Sequence, residues 1–214
     1  MAAAEQTTPR RRGRPRDTDS SETRRTLLDG ARALFAERGY GAVTNKDLAA
    51  AAGITTGALY HYVESKLDLY VAVHDSMRRQ VYGRFQVANT SQNTFIGKFE
   101  GVLDAARLMN QEDPTLARFV GTVRADLRRY PELAERLGDR QQAQDDFFLD
   151  IVESGVATGE IRREDVDLVR RFIQLILIGL TEGSSDTPET HRLAIDSVIK
   201  MLRGTLVSAP NTST

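Results

Sequence analysis

Apolar positions recur at three- and four-residue spacing through most of the chain, which is the period of an amphipathic helix. Leu27, Leu28, Ala31, Leu34 and Phe35 form one face of a first helix, and Gly39 supplies its stop. Thr44-x-x-Asp47 has the form of a capping box and opens a short second helix through Leu48 and Ala52, which Gly53 ends. Thr55 caps a third short helix running to about Tyr62. Ser65-x-x-Asp68 repeats the capping pattern ahead of a longer helix carrying Leu67, Val71, Met77, Val81 and Phe85. Further starts are predicted near Thr94, at Asp113-Pro114, at Pro131, near Asp165 and at Thr187-Pro188, with Gly159 closing the helix from Pro131. Period-2 alternation is scarce, and no Asn-Gly or Asp-Gly hairpin signal is present. The expected class is all-α, with about nine helices and no internal repeat.

Composition narrows the functional classes. The 214 residues are 40% hydrophobic, enough for a sizeable core in one or two domains. A formal net charge of -1 means that a nucleic-acid role needs a local basic patch. The absence of cysteine excludes disulfides, thiolate metal sites and a cysteine nucleophile, and fits a cytoplasmic protein. The N-terminal stretch lacks the apolar segment of a secretory signal. The longest apolar run, Leu175 to Leu180, is far short of the roughly 20 residues a membrane span needs.

Two short helices joined through Ala-Gly-Ile fit a helix-turn-helix. Gly53 suits a left-handed turn residue. Ala49 and Ala52 are small enough for close helix approach, and Ile54, Leu59 and Val63 are expected to point inward. The other side of the third helix is unusual. Thr55, Thr56, Gly57 and Ala58 give its start almost no bulk, so its backbone can approach base edges in a major groove about 12 Å wide. Tyr60, His61 and Tyr62 are placed to reach phosphate oxygens on the groove walls. Lys66 sits in a helix first turn, where a cation opposes the helix dipole unless a phosphate binds there. Lys46 sits similarly. The plain alternative is an ordinary pair of core helices with tyrosines as filling.

The segment AVTNKDLAAAAGITTGALYHYVESKLDLY, Ala42 to Tyr70, resembles the signature of the TetR/AcrR family of tetracycline-repressor-like regulators. The likeness spans roughly residues 22 to 70. It consists of a Thr before the second helix, the Ala-Gly turn, a small-residue helix start, Leu-Tyr, an aromatic and His cluster, and Ser-Lys before the fourth helix. The resemblance implies DNA contacts at Lys46, Thr56, Gly57, Ala58, Tyr60, His61, Tyr62 and Lys66, with Thr44 and Thr55 as caps that also touch phosphate. Tyr62 and Val63 depart from the His and Phe often found in the family, which weakens the assignment of Tyr62 most.

Residues 1–19 lack a core pattern and read as a disordered arm. Within it, RRRGRPR places Arg10, Arg11, Arg12, Arg14 and Arg16 in seven residues, and Gly13 to Arg16 resembles an AT-hook core. An extended Arg-rich strand suits a narrow A·T minor groove. A solvated tail is the bland alternative.

Residues 20–66 are expected to form the DNA-binding unit, 67–208 a ligand-binding and dimerisation unit, and 209–214 a loose tail. Val169 to Leu180 is apolar nearly all round after Arg171, and the last helix is apolar on more than one face. Pairing with a second copy would cover both, through Phe172, Ile173, Ile176, Leu177, Leu180, Ile195, Val198, Ile199 and Leu202; internal packing of the two helices is the alternative. The family resemblance implies the homodimer, and a small-molecule pocket between reader and dimer. Phe95, Phe99, Leu103, Met109, Phe119, Val123, Phe147, Phe148 and Ile151 are its candidate lining, with polar contacts from Arg107, Arg124 or Asp126. The resemblance also implies that the fourth helix transmits ligand binding to the reader.

No cofactor or metal site is indicated. The three histidines, His61, His74 and His191, have no HExxH arrangement, and no phosphate loop or GxSxG elbow occurs. The sequence therefore points to a non-enzymatic regulator, most simply a repressor, whose partners are double-stranded DNA, a small-molecule effector and a second copy of itself. Two other classes stay open: an architectural DNA binder acting through the arginine arm, and a small-molecule-binding protein or enzyme with a disused helix-turn-helix.

Overall fold

The computed structural model of the chain describes residues 16–183 and 187–206. Among these, nine α-helices occur and no strand: α1 Arg16–Ala42, α2 Asn45–Ala51, α3 Thr56–Leu59, α4 Lys66–Asn89, α5 Phe95–Glu112, α6 Pro114–Arg129, α7 Pro131–Thr158, α8 Val166–Gly183 and α9 Pro188–Leu202. A short 3-10 turn, Arg163–Asp165, leads into α8. The first helix begins a turn before the end of the expected arm, and α3 stops at Leu59 rather than near Tyr62.

The predicted caps are made by the predicted side chains. Thr44, Thr55, Ser65 and Thr94 each accept a backbone N–H three residues on, satisfying a donor the helix itself leaves open. Asp113 caps α6 ahead of Pro114. Gly159 closes α7 at φ 79°, a left-handed position that L side chains rarely adopt. Within α1, Gly39 breaks the helix at φ 73°, so the chain turns there before α2. Glu160 supplies a stitch that the pattern did not announce: its carboxylate accepts the N–H groups of Phe95 at 2.6 Å and Ile96 at 3.2 Å, pinning the end of α7 to the start of α5.

The first three helices enclose a small core of Leu27, Ala31, Phe35, Leu48 and Leu59, all essentially inaccessible. A four-residue helix such as α3 is unstable alone; burial of Leu59 contributes roughly 1.5–3 kcal/mol toward holding it. α4 extends from this core along α5, α1 packs along α6, and α8 pairs with α9 and α7. No helix among the described residues is long and apolar enough to cross a membrane.

Candidate nucleic-acid interface and internal cavity

The α2–α3 turn is fixed by backbone bonds. Gly53 N–H donates to Ala50 at 3.1 Å and Ile54 N–H to Ala49 at 3.0 Å, with Gly53 at φ 66°. Ala49 and Leu59 are buried, while Ile54 and Val63 are partly buried against them. The sequence pattern missed Gly30 on α1. A Cβ there would stand 3.1 Å from the Ala51 Cβ and 3.2 Å from its carbonyl oxygen, so α1 and α2 cross closely because that position is glycine.

Thr55, Thr56, Gly57, Tyr60, His61 and Lys46 are all exposed on the α2–α3 side, and Ala58 is half-buried. Gly57 is not required by the protein's own packing. A Cβ added there would meet only Thr55 Oγ1 at 3.9 Å, and Gly57 has no positive φ. Tyr60 is held in place by Asn45, whose Nδ2 donates to the phenol oxygen at 2.9 Å. Asn45, at the start of α2, is a further surface residue that the pattern did not single out. Tyr62 is half-buried against the core rather than projecting.

Two expectations are corrected by hydrogen bonds. The Thr44 hydroxyl donates to Asp47 at 2.6 Å while accepting the Asp47 N–H, so both functions are committed to the cap. Those Thr44 contacts hold the Asp47 carboxyl below the usual range. Lys66 turns inward. Its ammonium donates to the Tyr40 carbonyl at 2.9 Å and the Val43 carbonyl at 3.0 Å, and lies 4.4 Å from the Tyr40 ring centre. Burial lowers the Lys66 pKa. Its place at a helix start is explained by the carbonyls at the end of α1, without a phosphate. Arg10, Arg11, Arg12 and Arg14 lie outside the described residues, as does the side chain of Arg16.

Where the first helices meet the rest of the chain, Asp126 of α6 is buried at 6% exposure. Its Oδ2 accepts the Tyr70 hydroxyl and the Tyr40 N–H, both at 2.9 Å. Burial and then the Asp126 charge push the Tyr70 phenol well above its ordinary value. Tyr70 sits among Phe35, Tyr40 and Phe119 at ring separations of 4.8, 5.3 and 5.4 Å. Beside it, Arg32 of α1 pairs with Asp113 and donates to Thr115 Oγ1 at 3.0 Å. Gly41 makes room for Tyr130, since a Cβ there would overlap its hydroxyl at 1.9 Å.

A cavity of about 180 Å³ lies between α4, α5 and α6, with further lining from α7, α8 and α9. Met109, Val123 and Phe148 line it as expected, and so does Arg124. The other candidates do not. Phe95, Phe99, Leu103 and Ile151 are buried in the surrounding core, Phe119 packs on Tyr70, and Phe147 faces a separate groove beside Tyr82. Arg107 is paired with Asp104, and Asp126 serves the joint. Residues not anticipated in the lining include Met77, Val81 and Phe85 of α4, Leu116 and Val120 of α6, Asn110 and His191. α6 thus forms a cavity wall and carries the Asp126 joint; α4 runs from Lys66 to the same cavity.

On the outside, Leu168, Phe172 and Leu175 form a stripe on α8, with Leu193 and Met201 on α9, each at least 40% exposed. Of the expected association residues, Phe172 lies on this stripe. Ile173, Leu180 and Ile195 are buried within the single chain and cannot meet a second copy. Leu177 lines the cavity. Ile176, Val198, Ile199 and Leu202 are partly buried beside the stripe.

Residues 27–73 match the model for bacterial regulatory proteins of the tetR family. The chain is 32% identical over 170 residues to the HTH-type transcriptional repressor KstR2 of Mycolicibacterium smegmatis, covering 74% of this chain and 78% of that protein. It is 24% identical to the HTH-type transcriptional repressor AcnR of Corynebacterium glutamicum, over 87% of this chain and 93% of that one. The structure of the ketosteroid transcriptional regulator KstR2 of Mycobacterium tuberculosis superposes with a TM-score of 0.66 at 25% identity, covering 85% and 93% of the two chains. Bacillus subtilis FadR in complex with stearoyl-CoA has the same fold, with a TM-score of 0.67 at 21% identity over 86% of this chain and 99% of that one.

Proposed function

Because this chain belongs to the TetR family of bacterial regulatory proteins, we propose that it is a ligand-responsive repressor. In this reading it binds a palindromic operator as a homodimer and is released by a small effector in the cavity. The observation that carries the DNA assignment is the surface of α3. Gly57 is small although neither packing nor backbone conformation requires it, so the space serves something outside the chain. A major-groove base edge is the surface that needs such an approach. Thr56, Gly57 and Ala58 then read bases. Thr55, Tyr60, His61 and Lys46 hold phosphates, and Asn45 orients Tyr60. The arginine arm adds minor-groove or phosphate contacts, each steepening the logarithmic salt dependence by about 0.9.

The exposed α8 and α9 stripe supports pairing of two copies. Two α3 helices set about 34 Å apart would meet successive turns of one groove face. An effector acts only by binding the released form more tightly. α4 and α6 both line the cavity and both reach the α1 end, so a ligand that moves either shifts the reading helices.

Selection of bound sequences from a random DNA pool tests this reading. A palindrome with fixed half-site spacing is expected. Enrichment of A·T-rich sequence without symmetry would favour an architectural role for the arm, and no enrichment at moderate salt would refute sequence-specific regulation.

A further inference from the structure

Asn110 of α5 and His191 of α9 both line the internal cavity and are 2% and 3% exposed. The two helices that carry them pack on one another. The Asn110 Oδ1 and His191 Nδ1 atoms have no hydrogen-bond partner among the described residues. Buried polar groups in native proteins are nearly always paired, so two unpaired ones on one cavity wall mark the place of a polar group that arrives from outside. The remaining titratable residues of the lining, His74, Arg78 and Arg124, are each engaged with other groups of the chain. The head group of a ligand is therefore decided by Asn110 and His191. Both are uncharged: an amide does not titrate, and burial lowers the His191 pKa, which leaves the ring neutral at pH 7. An ion brought against two neutral groups loses its hydration and gains no countercharge from them, whereas a neutral head group loses far less. Among neutral head groups a hydroxyl fits best. It donates one hydrogen bond and accepts others, so it pairs with the oxygen or the NH2 of the amide and with either tautomer of the imidazole. Rotation about the last side-chain bond of each residue presents either polar atom to the cavity without moving the backbone.

We propose that the cavity binds a neutral alcohol: an apolar skeleton in contact with the α4 and α6 walls, and a hydroxyl paired with Asn110 and His191. This rests on the effector reading above and names the chemical class. Met77, Val81 and Phe85 of α4 and Val120 and Val123 of α6 supply the apolar contact surface. A hydrocarbon would leave both orphaned atoms unpaired. The cavity, about 180 Å³, is somewhat larger than the ~150 Å³ that encloses benzene. That suits a skeleton of one ring or a medium-length chain.

The test is calorimetric titration of the full-length protein at pH 7 with benzyl alcohol, ethylbenzene, benzoate and benzylamine, which share a ring and differ in head group. Benzyl alcohol is expected to bind more tightly than benzoate or benzylamine. The ratio of benzyl alcohol affinity to ethylbenzene affinity should fall at least about tenfold in Asn110→Leu and in His191→Phe, the effect of one buried hydrogen-bonded pair. Taking the ratio cancels the greater hydrophobicity of the hydrocarbon. Both variants remove an unpaired buried group, so their melting temperatures should hold or rise and ethylbenzene should still bind, which separates lost recognition from lost folding. Tighter binding of benzoate or benzylamine, a ratio unchanged in either variant (as for a site that water alone fills), or no binding of benzyl alcohol or 1-octanol would overturn the proposal. Operator occupancy, measured alongside, keeps the two readings apart. Release of DNA by benzoate but not benzyl alcohol would retain the effector reading and discard the alcohol. Failure to select any operator would refute the regulator reading whatever the titrations give.

Discussion

Replacing Gly57 by alanine should stabilise the protein and weaken its hold on DNA. The added Cβ would meet nothing nearer than Thr55 Oγ1 at 3.9 Å, so no internal clash opposes it. Gly57 lies inside α3, where alanine is favoured over glycine by roughly 0.5–1 kcal/mol because less backbone freedom is lost on folding. For a chain of this size that raises the melting temperature by about 1–4 °C. On the operator the sign reverses. A methyl group between the backbone and the base edges holds α3 away and costs one base contact, worth about 1–3 kcal/mol. The expected loss per half-site is therefore roughly 5- to 150-fold in affinity. Thermal unfolding at fixed protomer concentration and fluorescence anisotropy on the selected operator measure the two effects. An alanine variant that binds the operator as tightly as the parent would refute the argument that the missing side chain makes room for DNA.

Other expectations follow from the same geometry. Tyr70→Phe should destabilise the chain by about 1.5–3 kcal/mol, since it removes a bond to a charged acceptor, and urea unfolding of a double-mutant cycle with Asp126→Asn should return a coupling well above zero. Leu175 is 67% exposed in the single chain, so the proposed pairing through α8 expects Leu175→Asp to sediment as a monomer in analytical ultracentrifugation and to lose operator affinity, with helix content by circular dichroism unchanged. His191 has a folded pKa below its unfolded value near 6.5, so the unfolded chain binds the extra proton; stability is full above that pH and falls as pH drops through the window beneath it. His191→Phe should flatten that part of the stability profile, measured by urea midpoints from pH 5 to 8.

The helix starts were legible because a cap is a local event: Thr44, Thr55, Ser65 and Thr94 lie within three residues of the N–H groups they satisfy. The turn at Gly53 and the inward set of Leu59 were legible for the same reason. Longer-range choices were not. A phenylalanine at a helical core position looks the same whether it faces a cavity, as Phe148 does, or solid core, as Phe99 does. The apolar surround of α8 announced that it touches neighbours on several sides. It does not say which stripe the single chain already covers, and Ile173 and Ile195 are covered by the chain itself. The inward turn of Lys66 is not legible locally, because its carbonyl partners, Tyr40 and Val43, lie more than twenty residues away. Asp126 looked like a ligand contact because nothing local ties an aspartate on α6 to a tyrosine on α4.

The double duty of α6 sets a limit on how this protein could be retuned. Substitutions at Val120 or Val123 alter the wall of the proposed effector cavity and, through the same helix, the seat of Asp126. Because coupling between two sites is reciprocal, a change that loosens that seat alters both the concentration at which the ligand acts and the tightness of the resting grip on DNA. Ala106 and Met109 face the same cavity from α5, which packs mainly on α4, α6, α7 and α9. A biosensor built on this scaffold would be diversified first at those two positions, where a new chemical preference can be selected while the dark-state leakiness of the reporter stays put.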